Sequence, residues 1–404
     1  MRVLDGEATN EAPYMTSTSA KLLAVIGSYL PSDKYGGPVV AIHSDLKGLA
    51  EIGWEARVLT TNADGPGEKT AVPIDRWLTN DGYSIYYCNR QFGHEGSLSM
   101  LFNLPRLVHW ADIVTISGLY SFCTIPALYC CKLTNRPAVW YPHGALHTWR
   151  GEPRHSLKTI WRLLCRGGVP RHCYIGAKSA RESDAALRAF PQVRVIAASA
   201  GIDIPELPPK SKSTGALRLG FLGRLHPIKG VEELLGACQQ LLADKTFAWQ
   251  LTLAGSGEDD YTERLRSIVV ASGLEGHVRF LGYVNGQAKS QFFADSDVIV
   301  IPSHSENFCY VAAEALAHGL PIVVSNRTPW QNVESVGCGL SVEPSADSIA
   351  SAIRKLATLP IAQMGRTARE FALGELEGKQ AVAKLSEQLL AVIAQSKRAS
   401  DLRA

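Results

Sequence analysis

No stretch of this chain approaches the ~18 consecutive apolar residues that a bilayer-spanning helix requires, which excludes such a helix from the sequence as given. The nine cysteines contain no C-x-x-C pair and follow no disulfide framework, and no secretory signal precedes them. They are expected to be reduced thiols in a cytoplasmic protein. Cys165, His172 and Cys173 come nearest to a zinc set, and their spacing fits no common ligand pattern. Charge of one sign is also lacking. A formal net charge of +3 is too small for wholesale nucleic-acid binding, so no nucleic-acid partner is expected and any basic surface must be local. The first twenty residues, MRVLDGEATNEAPYMTSTSA, are polar and mixed in charge, and 1–20 reads as a disordered leader rather than a targeting peptide.

What the chain does have is a globular composition, 46% hydrophobic and 20% charged, over 404 residues. That length calls for two to three domains. From Lys21 onward short apolar runs alternate with helically spaced segments: KLLAVIGSYLP, EARVLTT, SIYYC, ADIVTIS, PAVWYPHG, HCYIGA and VRVIA. This alternation predicts a mainly parallel sheet with helices on both faces. The segment 201–216, GIDIPELPPKSKSTGA, breaks the rhythm with proline, glycine, serine and lysine, as a linker does. A second series follows: LRLGFLG, WQLTLAG, HVRFLG, DVIVIPS, PIVVS and GLSVEP. The expected organisation is a first domain at 21–200, a linker at 201–215, a second domain at 216–375, and a final segment 376–404. In that last segment Ala381, Val382, Leu385, Leu389, Leu390 and Ile393 trace one helix face, which is expected to cross back onto the first domain.

In open parallel sheets ligands bind beyond the carboxyl ends of strands, and several chemistry-bearing residues stand there. Gly223 ends an apolar strand; Arg224 and Lys229 follow before a helix, a setting suited to a phosphate or diphosphate or to a plain basic turn. The stretch SHSENFCYVAAEALAHGLP puts Glu306 in the turn before a helix that begins near Phe308 or Cys309, and Glu314 in its second turn. A ligand with a diphosphate over the helix start could offer hydroxyl groups to both carboxylates; an exposed helix glutamate and a dipole partner are the plainer reading. Gly36 and Gly37 precede a helix in the first domain, and His143 directly follows a strand. Asp295 and Asp297 bracket Ser296 with the spacing of a manganese site, but they lie before a strand, at the edge away from the ligands, and read as capping residues.

The order of YGGP, PHG, GAKSARESDAAL, GID, GFLGRLHPIKG, LAGSGED, VRFLGYV, SHSENFCYVAAEALAHGLPIVVS and TPWQNVESVGCGLSVEP resembles family 4 of the retaining, nucleotide-sugar-dependent glycosyltransferases. The resemblance runs from about 21 to 395. It implies an α/β GT-B fold: two tandem Rossmann-like doubly wound domains, a deep cleft between them and a C-terminal crossover helix. It implies that Arg224 and Lys229 grip the donor diphosphate and that Glu306 holds the donor sugar beside the backbone of Asn307, Phe308 and Cys309. Glu314 would bind the ribose, and the backbone near Tyr283 and Val284 would receive the base. Gly36, Gly37 and His143 would be the first domain's contribution to the sugar and reaction centre. The implied reaction moves a sugar from a nucleotide diphosphate sugar, uracil favoured over guanine, to a hydroxyl acceptor, with retention and without a metal or other cofactor. Departures are Ala200 where asparagine is usual, Asn307 and Cys309 where glycine is frequent, and a last helix without the aromatic-serine-tryptophan start. A related 2-epimerase or hydrolase and a non-catalytic sugar-nucleotide sensor are the rival readings.

The acceptor is expected to be a sugar or a lipid-linked sugar. Over 147–172 the cations Arg150, Arg154, Lys158, Arg162, Arg166 and Arg171 face Glu152 alone, with Trp149, Trp161, Leu163 and Leu164 interleaved. Two readings stay open: a segment resting on the anionic inner face of the plasma membrane, or a solvated helix packed through its tryptophans.

Overall fold

The computed structural model describes residues 20–32, 37–65, 67–146, 155–198, 201–207, 209, 215–244 and 246–401. The first domain runs β1 (Lys21–Ser28), α1 (Gly37–Glu51), β2 (Glu55–Thr61), β3 (Trp77–Asn80), β4 (Tyr83–Cys88), α2 (Leu98–Trp110), β5 (Ile113–Ser117), α3 (Thr124–Leu133), β6 (Ala138–Tyr141), α4 (His155–Gly168), β7 (Cys173–Ala177), α5 (Ala180–Ala189) and β8 (Arg194–Ala197). Its eight strands lie in the order β3-β4-β2-β1-β5-β6-β7-β8, parallel except for β3, which pairs antiparallel with β4. The central strands read as apolar runs because both their faces are covered: seven of the eight residues of β1 are buried.

The second domain runs β9 (Leu217–Leu222), α6 (Val231–Leu241), β10 (Trp249–Ala254), α7 (Asp259–Ala271), β11 (Val278–Gly282), α8 (Gly286–Ala294), β12 (Val298–Ile301), α9 (Tyr310–Ala317), β13 (Ile322–Ser325), α10 (Val333–Val336), β14 (Gly339–Val342), α11 (Ala346–Ala357) and α12 (Ile361–Glu375). Its sheet has the all-parallel order β11-β10-β9-β12-β13-β14. The chain therefore builds outward from β9 on one side and returns to build outward on the other. That reversal opens a crevice between the carboxyl ends of β9 and β12. The first sheet reverses in the same way between β1 and β5.

The last helix, α13 (Gly378–Asp401), crosses back and packs on α1. Val382, Leu385, Leu389 and Ile393, on the face the sequence marked, are buried in the first domain's core, joined by Val392. Trp54 Nε1–H donates to Ser386 Oγ at 2.9 Å, and a Cβ on Gly48 would stand 2.4 Å from the Val382 side chain, so α1 and α13 meet at close range. The chain's two passages between domains run side by side: Ile202 N–H donates to Leu376 O and Gly378 N–H to Ile202 O. Ala200 and most of 208–214 lie outside the described residues.

Candidate functional site

The loop after β9 and the loop after β12 are locked together at the second domain's crevice. Gly230 has a left-handed φ of 69° and caps α6; a Cβ there would stand 2.2 Å from Pro302 O, so only glycine lets the two loops approach. His304 N–H donates to Ile228 O at 2.8 Å. This contact brings Lys229 to Glu306, Nζ to Oε1, at 2.6 Å, and Ser303 Oγ–H donates to the same oxygen at 2.7 Å. Gly223 and the exposed Arg224 follow β9 on the same loop.

Helix α9 opens beside this pair. Its N-cap, Cys309, is buried and held at φ 67°, a left-handed conformation that costs a non-glycine residue about 1–2 kcal/mol. No side chain caps the helix through a hydrogen bond, and in its first turn Ala312 N–H returns to Cys309 O at 3.0 Å. Trp330 Nε1–H donates to Phe308 O and the two rings pack with centroids 5.3 Å apart, which fixes the loop just before the helix. The Phe308 side chain is thus a packing anchor. The buried Asn307 Oδ1 has no hydrogen-bond partner among the described residues.

Glu314, one helical turn further on, pairs with Lys289 of α8, Nζ to Oε1, at 2.8 Å. That ion pair sets it next to the β11–α8 turn, where Tyr283 is exposed and Val284 buried. The residues expected to meet diphosphate, sugar, ribose and base thus follow one another along a single sheet edge. Gly36 lies outside the described residues, and Gly37 is the first residue of α1.

The first domain faces this edge through three groups. A Cβ on Gly37 would stand 3.1 Å from the Tyr310 ring, so the start of α1 touches the start of α9. His143 follows β6 with a left-handed φ of 53°; its Nε2 lies 3.3 Å from Ser117 Oγ and its ring stacks on Tyr141 at 6.1 Å. Burial, reinforced by Lys178, pushes the imidazole down to about 3, so it is neutral at physiological pH and acts as a hydrogen-bonding group. The buried Glu182 carboxylate holds the turn: it accepts from Gly144 N–H at 2.7 Å and Lys178 N–H at 2.9 Å. Lys178 directly follows β7 and donates from its ammonium to Tyr310 OH across the cleft.

Behind His143 a cavity of about 30 Å³ is lined by Asp45, Thr115, Ser117 and Tyr141 and closed by Leu385 and Leu389 of α13. It has the room and the polar partners for a single water. Burial raises Asp45 to about 6, with Lys178 opposing the rise. Asp295 and Asp297 sit at the opposite edge: Asp297 takes Arg218 in a two-pronged pair, Nε to Oδ2 at 3.0 Å and Nη2 to Oδ1 at 2.7 Å. Asp297 is therefore an ion-pair partner, more than the solvated cap the spacing suggested. Cys165 and Cys173 are buried in the first core.

Lys178, Asp45, Tyr310 and Lys289 escaped the sequence reading. Lys178 alone carried a usable signal, since it directly follows an apolar strand, as His143 does.

The same architecture recurs in solved proteins. Sucrose-phosphate synthase from Thermosynechococcus elongatus superposes with a TM-score of 0.74 at 16% identity, covering 93% of this chain and 100% of that one. Anabaena HepE, in complex with UDP and glucose, gives 0.71 at 20% identity over 92% and 100%. Residues 216–358 match the family described as Glycosyl transferases group 1. The chain has the GT-B fold, and within it residues 216–358 are similar to the group 1 glycosyl transferases. Among relatives of this GT-B protein, an uncharacterized glycosyltransferase of Methanocaldococcus jannaschii is 41% identical over 106 residues, 26% of each chain. The phosphatidyl-myo-inositol mannosyltransferase of Mycobacterium leprae is 34% identical over 165 residues, 39% of this chain and 42% of that protein. The aligned stretches thus span less than half the length of either relative.

Proposed function

We propose that this GT-B protein transfers a sugar from a nucleotide diphosphate sugar to a hydroxyl acceptor, with retention of anomeric configuration and without a metal. The observation that carries the reading is the crevice between β9 and β12, where the Lys229–Glu306 pair lies before the start of α9, with Arg224 on the same loop after β9. Cations beside a helix N-terminus suit a diphosphate. A carboxylate and an unpartnered amide oxygen, Glu306 and Asn307, suit sugar hydroxyls. Glu314 beside the β11–α8 turn suits a ribose and base. A uridine donor is favoured, in keeping with the UDP held by the HepE neighbour.

In this mechanism the acceptor oxygen attacks the anomeric carbon on the face from which the diphosphate departs, and the departing phosphate oxygen takes the acceptor's proton. The bond from the anomeric carbon to the diphosphate oxygen breaks as the new glycosidic bond forms. The protein stabilises the leaving charge through Arg224, Lys229 and the α9 amides, and fixes geometry through Glu306 and the first domain. Lys229 is shared: its present partner Glu306 yields it to the diphosphate when donor arrives, leaving the carboxylate for the sugar.

The acceptor side is proposed to rest on an anionic membrane surface, in keeping with synthesis of a cell-surface polysaccharide or glycolipid on the cytoplasmic side. No helix among the described residues is long and apolar enough to cross a membrane. The basis is α4. Trp161 packs against the core and donates Nε1–H to Leu119 O at 2.7 Å, as the reading of a helix packed through its tryptophans has it and not as a membrane anchor. The outward side chains are Leu157, Ile160, Leu163 and Leu164, exposed by 59%, 55%, 58% and 46%. Trp149, Arg150, Glu152 and Arg154 lie outside the described residues.

A panel of sugar nucleotides, read by thermal shift and by product formation with added acceptor and excess chelator, tests the reading. Stabilisation by a uridine diphosphate sugar and retained transfer in chelator are expected. Activity abolished by chelator would reject the metal-free mechanism, and product formed without acceptor would favour hydrolysis or epimerisation.

A further inference from the structure

We propose that Lys178 is a positioning residue of the transfer reaction, supplied by the first domain to hold the opening turn of α9 in register across the cleft. The proposal rests on the transferase reading above and adds to it the part that joins the two half-sites.

The half-sites belong to different domains. The anion-binding start of α9 and Glu306 come from the second; Gly37, Ser117 and His143 come from the first. Transfer between groups held on separate bodies requires their register to be fixed to a fraction of an ångström, or the near-attack geometry is lost.

Tyr310 is where the bodies meet. It is the first residue of α9, directly after the strained Cys309. Three groups clasp it. The Lys178 ammonium donates to its hydroxyl and lies 4.9 Å from its ring centroid. The Gly37 backbone lies against one face, with room for no Cβ at ordinary contact distance. Phe308 meets it edge-on at 4.8 Å. Two of the three come from the first domain, and Lys178 is the polar one. A strained left-handed N-cap persists only when its surroundings over-determine it, and this clasp is the part of those surroundings that crosses the cleft.

Lys178 is itself held firmly. Its N–H is bound by Glu182, and Ser179 caps α5 by accepting from Glu182 N–H at 3.2 Å. The charged and titratable groups that act on or surround it are Asp45 of α1, Glu182 of α5, Tyr141 at the end of β6, His143 after it, and Tyr310. Asp45 and Glu182 favour its charged form against the cost of burial. His143 and the two tyrosines are neutral. Burial outweighs the two carboxylates and lowers the Lys178 pKa, so the ammonium's charge is offset only in part within its own domain.

The test uses the full chain with Lys178→Met, with the isosteric Tyr310→Phe, and with both. Hydrogen exchange of the amides at 309–312 is followed without ligand, and kcat and donor KM are measured. Loss of one charge-assisted hydrogen bond should speed exchange at 309–312 about tenfold or more in each single variant while α11 is unchanged. The double variant should be no faster than the worse single. Turnover should fall about tenfold or more with donor KM changed less than about threefold, the pattern of a lost positioning contact. Unchanged exchange, additive effects, or faster exchange with normal kcat would each overturn the proposal. Exchange is read without substrate, so a wild-type protein inactive with every donor would refute the transferase reading separately from the Lys178–Tyr310 contact.

Discussion

At the scale of single residues, burial sets the chemistry of the cleft more than sequence neighbours do. His143 is kept neutral and Asp45 is pushed up to about 6 because both are desolvated. For Asp45 the sign is definite. Its native carboxyl binds protons more tightly than in the unfolded chain, where an aspartate titrates near 3.8, so its contribution is most favourable below about pH 4 and is lost as pH rises through about 6. Asp45→Asn should therefore match wild-type stability near pH 4 and exceed it by about 2–3 kcal/mol at pH 8. Urea unfolding at the two pH values checks this, and a variant no more stable at pH 8 would show that the carboxylate is well paired there. These two residues also show what a sequence conceals. His143 was visible because it follows a strand. Asp45 was not, because it sits mid-helix, and only the packing of α13 against α1 closes the cavity over it.

At the scale of elements, the strands were legible wherever apolar runs ended in glycine, proline or a polar turn. Every such run in the quoted series forms a strand. β3, with the sequence WLTN, was missed: it is a four-residue antiparallel edge strand, half exposed, and so carries no buried run. The start of α9 was placed within two residues, because an apolar helix pattern follows a polar turn. Its partners were not legible, since Lys289 and Lys178 reach it from helix and strand ends 25 and 132 residues away. Helix α4 was seen as basic and apolar, and the structure corrects which side chains face out. Full burial of a leucine-sized side chain is worth about 1.5–3 kcal/mol, so Leu157 and Ile160 together can support reversible surface binding. Leu157→Asp with Ile160→Asp should weaken sedimentation with anionic vesicles about tenfold or more and leave the melting temperature unchanged. Equal binding to neutral and anionic vesicles, or binding that survives the substitutions, would remove α4 from that role.

At the scale of the whole molecule, two sheets of one architecture present their switch points to each other, and the chain crosses between them twice along paired backbone at Ile202 and Gly378. The two tandem sheets and the returning helix were legible from pattern, because composition changes at the linker and the last helix has a single apolar face. How the two bodies meet was not, since that depends on shape at Gly37, Lys178 and Tyr310 rather than on periodicity. The return of α13 is a fastening of the first domain. Leu389 is fully buried in that core, and Leu389→Ala should cost about 2–5 kcal/mol, seen as an early first-domain transition in calorimetry; a single transition at the wild-type temperature would contradict it. The central claim is that the crevice between β9 and β12 stabilises a departing diphosphate through Arg224 and Lys229. Its most direct test is kcat/KM for sugar transfer by Arg224→Ala and Lys229→Ala, with folding checked by circular dichroism. A fall of about 100-fold or more in each folded variant is expected, and transfer at a near-wild-type rate by either would contradict the account.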